Sequence, residues 1–136
     1  MSSVLEVGKQ LVSMCRAGQW NEAMAELYAD EATHVEAYEM GPEMPRENGP
    51  KAKLLKMTEW WDANHEVHGC ELQGPYPHGD DRFAVRMTID LTPKEGSGIP
   101  NAGKRHTQEE VCVYTVADGK ITMVEFFWDP TGYGES

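Results

Sequence analysis

The strongest constraint in this sequence is a hairpin near its C-terminus. Residues 105 to 117 and 120 to 128 are long runs rich in β-branched and aromatic residues, separated only by Asp118-Gly119. A two-residue Asp-Gly connection between such runs reads as a tight turn. Upstream, residues 67 to 73 and 82 to 92 read as two more strands, joined through the turn-forming stretch Gly74-Pro75-Tyr76-Pro77-His78-Gly79-Asp80-Asp81. Pro93 to Lys104 carries five glycines or prolines and reads as a loop.

The first half is mostly helical. Val4, Leu5, Leu11, Val12 and Cys15 fall on one stripe, with Glu6, Lys9, Gln10 and Arg16 outside it, so residues 4 to 17 predict a helix. Ser2 or Ser3 caps it, with Glu6 placed for a capping box, and Gly18 stops it. Residues 20 to 29 predict a second, short helix with Trp20, Met24, Leu27 and Tyr28 on a shared face. Residues 33 to 39 alternate in type and read as a strand, and Met40 to Gly49 as a loop. Gly49-Pro50 opens a third helix that turns Leu54, Met57 and Trp61 inward and ends near His65. Helices first, then long strands with one helix interposed, predict an α+β domain. Its helices pack on one face of a curved antiparallel sheet.

A chain of 136 residues, 40% apolar and 26% charged, suits one domain with one core, spanning residues 1 to 136. The formal net charge of -11 is spread along the chain, so nucleic acid and anionic membranes are poor partners. Three widely spaced cysteines, without a C-x-x-C, argue against a disulfide framework or a cysteine zinc site. No signal-like start and no apolar run of about 18 residues is present, and a reducing cytoplasm is the expected setting. His65-Glu66-Val67-His68 has its histidines three apart, not the four that a helical zinc motif needs, and no metal is expected. Nucleotide-binding glycine motifs and the serine-hydrolase elbow are missing, and no cofactor is expected.

Two stretches carry a resemblance. Leu27-Tyr28-Ala29-Asp30-Glu31-Ala32-Thr33 resembles the entry to the first strand of ketosteroid isomerases. Val113-Tyr114-Thr115-Val116-Ala117-Asp118-Gly119-Lys120-Ile121, running on to Phe126-Phe127-Trp128, resembles the final hairpin of SnoaL-like proteins. With the order of elements, the chain resembles the nuclear-transport-factor-2-like superfamily. The resemblance implies a cone-shaped sheet with about three helices packed on it, a pocket inside, and a homodimer formed through the sheet. It says little about activity, because this fold hosts isomerases, cyclases, dehydratases and binding domains.

Strand alternation then nominates the pocket wall. In the first strand His34, Glu36 and Tyr38 share a face. Read without a gap, Glu36 falls where the resembled isomerases keep their base. One inserted residue would place Ala37 there instead. The matching face of the later strands holds Phe83, Val85 and Met87, then Glu110, Cys112 and Tyr114, then Val124, Phe126 and Trp128, with Trp61 above. Glu109 and Glu110 are adjacent, so one of them faces outward. Cys112 stands where the resembled enzymes keep a second functional aspartate, and the first helix has no tyrosine to bind an oxyanion. Authentic ketosteroid isomerase activity is therefore not expected. The resulting expectation is cofactor-independent acid/base chemistry on a small, largely apolar carbonyl compound. Glu36, Glu110 and His34 are its candidate catalytic groups. A dimeric domain without catalysis, binding a ligand or serving assembly, is the alternative. Stability that falls as pH rises is the expected signature of an inward Glu36.

Overall fold

The fold was analysed in a computed structural model, which describes residues 3–39, 41–42 and 45–129. Helix α1 (Val4–Arg16) starts as its sequence implies, with the Ser3 side-chain oxygen accepting from the Glu6 N–H at 3.1 Å. That bond satisfies one of the donors a helix start leaves open. Ser2, the other cap candidate, lies outside the described residues, as do Met40, Glu43 and Met44 of the expected loop. The buried stripe of α1 is Val7, Gly8, Leu11, Val12 and Cys15. Gly8 allows α1 to lie close on the sheet, because a β-carbon there would stand 2.8 Å from Pro75 Cβ and 3.1 Å from Phe83 Cδ2.

Helix α2 (Trp20–Leu27) runs directly into strand β1 (Tyr28–Val35), which begins five residues before the expected start at Thr33. The expected loop contains a two-residue strand, β2 (Glu47–Asn48), paired antiparallel to β1. Helix α3 (Lys51–Asn64) follows, and Lys51 Nζ donates to the carbonyls of Ala25 at 2.8 Å and Tyr28 at 3.2 Å. A cation there suits the negative end of α2.

Strands β3 (His65–His78), β4 (Arg82–Pro93), β5 (His106–Ala117) and β6 (Lys120–Trp128) complete a six-stranded sheet in the order β2-β1-β6-β5-β4-β3. The turn between β3 and β4 is shorter than expected, because residues 74 to 78 continue the strand. The register shifts between Gln73 and Tyr76, where Gly74-Pro75 stands. A proline missing its N–H is tolerated there because β3 is an edge strand. Asp118 and Gly119 adopt φ values of 53° and 77°, the two positive values that the hairpin requires.

The expectation of a wholly antiparallel sheet needs correction: β1 pairs parallel with β6. β1 lies between the two-residue β2 and the last strand of the chain. The long connection between β1 and β6 leaves the relative direction free. Among the described residues no helix is long and apolar enough to cross a membrane.

Candidate active site

The inner face of the sheet and the three helices enclose a cavity of ≈ 420 Å³. That volume lies in the range of small-molecule sites. Its wall is chiefly apolar, with a few polar groups contributed by β1, the loop that follows it, α3, β3, the β4–β5 loop and β5.

Glu36 sits one residue beyond β1, where its N–H still donates to the Arg46 carbonyl at 2.6 Å. The alternation of β1 is thus carried one step further, and Glu36 rather than Ala37 lines the cavity. A carboxylate oxygen of Glu36 accepts from the Trp128 indole N–H at 2.9 Å. Burial raises the pKa of Glu36, and the indole bond opposes the rise.

Glu110 stands opposite Trp128 in the β5–β6 ladder and opposite Met87 in the β4–β5 ladder, and it also lines the cavity. Its neighbour Glu109 points outward to Arg86 at 3.1 Å, which settles the phase of β5. The Glu110 oxygens accept from Gln108 Nε2 at 3.0 Å and from the Cys112 thiol at 3.6 Å. Burial, and then repulsion from Glu36, push its pKa up to about 7 against those two bonds. Glu36 is thus raised by its own burial, and Glu110 by burial and by the charge of Glu36, so that Glu110 keeps its proton close to neutrality.

His34 lines the same cavity, two residues before Glu36. Its Nε2 shares a 2.9 Å hydrogen bond with the Tyr28 hydroxyl, and its ring meets Phe126 edge-on at 4.8 Å. Burial lowers its pKa to about 4, so the ring is neutral at physiological pH. The Tyr28 phenol is itself held protonated by burial.

Of the nominated wall residues, Trp61, Met87, Tyr114, Phe126 and Trp128 line the cavity. Phe83, Val85, Cys112 and Val124 do not. Each is fully buried in the core; Phe83 lies beneath Gly8 of α1 and stacks on Tyr114 at 4.9 Å. Alternation had placed them on the correct face, but the inner face is longer than the cavity. Tyr38 is 51% exposed and packs edge-on against Trp128 from outside.

Several cavity residues escaped the sequence reading. Tyr28 had been placed at a helix end. Gln108 shares the face of Glu110 two residues earlier, a signal that was available. Asp62 and Ile99 had none: Asp62 lines the cavity from α3, and Ile99 is buried from the β4–β5 loop, which lies over the cavity through residues 97 to 100.

Against known proteins, the sequence model of the SnoaL-like domain matches residues 2–128. A protein of Mesorhizobium loti, provisionally named a SnoaL-like polyketide cyclase, shares 36% identity over 93% of this chain and 99% of its own, with a TM-score of 0.82. A provisionally named polyketide cyclase of Pseudomonas putida shares 16% identity over 96% of this chain and 95% of its own, with a TM-score of 0.71. A Catenulispora acidiphila protein with a ketosteroid isomerase-like fold, solved with trimethylamine, shares 15% identity over 94% of this chain and 88% of its own, with a TM-score of 0.68. The last two speak for the fold alone. No protein of curated function matches.

Proposed function

The chain belongs to the SnoaL-like domain family, and from that premise we propose that it catalyses cofactor-independent acid/base chemistry, of isomerase, cyclase or dehydratase type, on a small, largely apolar carbonyl compound. One observation carries this reading: Glu36 and Glu110 present their carboxyls to the same apolar cavity.

Glu110 is the deeper of the two and keeps the shared proton near neutrality. Glu36, steadied by the Trp128 N–H, is the ionised partner. A C–H bond next to the substrate carbonyl breaks, its proton moves to Glu36, and its electron pair flows onto the carbonyl oxygen. The Glu110 carboxylic acid donates a hydrogen bond to that developing oxyanion. Return of the proton to another carbon gives an isomer. Departure of a β-hydroxyl as water, protonated by Glu110 as the C–O bond breaks and the enolate electrons form the C=C bond, gives dehydration. Attack of the enolate on a second carbonyl closes a ring. The Tyr28–His34 pair orients a further polar group of the substrate.

The chain is further proposed to act as a homodimer formed through the outer face of the sheet. Val111 and Phe127, directly opposite each other in the β5–β6 ladder, leave 40% and 55% of their surfaces exposed there. A binding domain without catalysis is the competing reading, favoured by Cys112, which stands where the resembled enzymes keep an aspartate and is fully buried.

The test is exchange of α-protons for deuterium in D2O, followed by NMR, across cyclic ketones beginning with 2-tetralone. The reading predicts acceleration by the wild type and a loss of about 10² to 10⁴ in Glu36→Gln. Equal exchange by the two proteins sinks it and leaves the binding domain.

A further inference from the structure

All four tryptophans of the chain, Trp20, Trp60, Trp61 and Trp128, line the cavity. Three carboxyl groups line it with them: Glu36, Asp62 and Glu110. No lysine or arginine does so among the described residues, and none of the described ion pairs involves those three acids. The groups that hold the acids in place are neutral. Trp128 donates its indole N–H to Glu36 at 2.9 Å. Trp20 donates to Asp62 at 3.1 Å, and Asn21 Nδ2 to the other Asp62 oxygen at 2.7 Å.

This choice of donors has an electrostatic consequence. A lysine or arginine orients a carboxylate and also cancels its charge. An indole or amide N–H orients it and leaves the charge standing. Even with Glu110 protonated, the wall therefore keeps a negative potential inside a chamber of low polarity, where Coulomb terms are large. A tryptophan face turned to the cavity adds to it, since the ring quadrupole attracts a cation, and tryptophan does so best of the aromatic side chains; one face of Trp61 is taken by the His65 ring, stacked on it at 4.1 Å. An anionic ligand is repelled by every one of these features. A neutral one gains nothing from the charge. A cationic ligand gains from both acids and rings.

We infer that the cavity takes a ligand carrying a tertiary or quaternary ammonium group on an apolar body, so that the carbonyl substrate of the proposed reaction is an amino ketone. The inference rests on the proposed reading of this cavity as the substrate site. It does not depend on which carboxyl moves the proton.

Charge isosteres test it. Phenyltrimethylammonium and tert-butylbenzene have nearly the same shape and differ in charge, and benzenesulfonate supplies the opposite sign. Binding to the full chain is followed by tryptophan fluorescence, with ligand NMR line broadening as a check. The cation is expected to bind at least about tenfold more tightly than tert-butylbenzene, with no binding by the sulfonate. In Asp62→Asn the affinity for the cation falls severalfold, while that for tert-butylbenzene is unchanged. Equal or tighter binding of the neutral isostere by the wild type overturns the inference, and so does binding of neither. A preference for the cation that persists undiminished in both Asp62→Asn and Glu36→Gln overturns the assignment to this cavity. The two proposals fail separately. A cation preference without Glu36-dependent α-proton exchange removes the acid/base reading alone. Exchange without a charge preference removes this one alone.

Discussion

Replacing Glu110 by glutamine should reveal a pH dependence of stability that the wild type conceals. The pKa of Glu110 rises from an ordinary 4.5 to about 7, and that of His34 falls from an ordinary 6.5 to about 4. Each displacement, at 1.36 kcal/mol per pH unit, amounts to about 3 kcal/mol. The signs are opposite. Glu110 keeps its proton in the fold while the unfolded chain loses it, so its contribution is full below pH 4.5 and is lost as pH rises to about 7. His34 stays neutral in the fold while the unfolded chain takes up a proton, so its contribution is full above pH 6.5 and is lost as pH falls to about 4. The two nearly cancel between pH 4.5 and 6.5. Glu36, also raised, adds a modest decline toward neutrality. The wild-type profile is therefore shallow even with both carboxyls inward, so a shallow curve no longer counts against an inward Glu36. The comparison of variants is decisive. Urea unfolding followed by tryptophan fluorescence, from pH 4.5 to 7.5, should show the gap between Glu110→Gln and wild type changing by about 3 kcal/mol in favour of the variant as pH rises. His34→Gln should change by a similar amount in the other direction. Curves for Glu110→Gln and wild type that stay parallel across this range would refute the burial assigned to Glu110.

Other substitutions test the packing that places the site. Phe83→Ala empties a fully buried position beneath α1 and should cost about 3 to 5 kcal/mol, read from urea midpoints, while α-proton exchange per folded molecule is unchanged. Gly8→Ala should destabilise by about 1 to 3 kcal/mol although alanine favours helices, because its methyl meets Pro75 and Phe83. Phe127→Glu should convert a dimer to a monomer in sedimentation velocity, and a wild type that sediments only as a monomer at micromolar concentration would remove the sheet-face interface.

Local chemistry was legible where a residue type has one good use. Ser3 with Glu6 at a helix start and Asp118-Gly119 between two strands each sit as expected. Alternation also narrowed Glu36 and Glu110 to two choices of phase each, and the fold made the choice. Alternation could not say how far along the inner face the cavity extends. Phe83, Val85, Cys112 and Val124 point inward like Met87 and Phe126, yet they are buried in the core and line none of the cavity. Asp62 joined the site only because α2 packs on α3 and brings Trp20 and Asn21 to it. The parallel pairing of β1 with β6 depends on the whole path of the chain, and neither strand carries a mark of it.

The central claim is that Glu36 and Glu110 share one proton in an apolar cavity at neutral pH. Side-chain carboxyl ¹³C shifts of glutamate-labelled protein, followed from pH 3 to 9 and assigned with Glu36→Gln and Glu110→Gln, test it directly. The account predicts that both titrate above the ordinary carboxylate value of 4.5, that Glu110 does so near 7, and that removing Glu36 lowers the Glu110 midpoint. Two independent midpoints at the ordinary value, each unmoved by loss of the other residue, would contradict it.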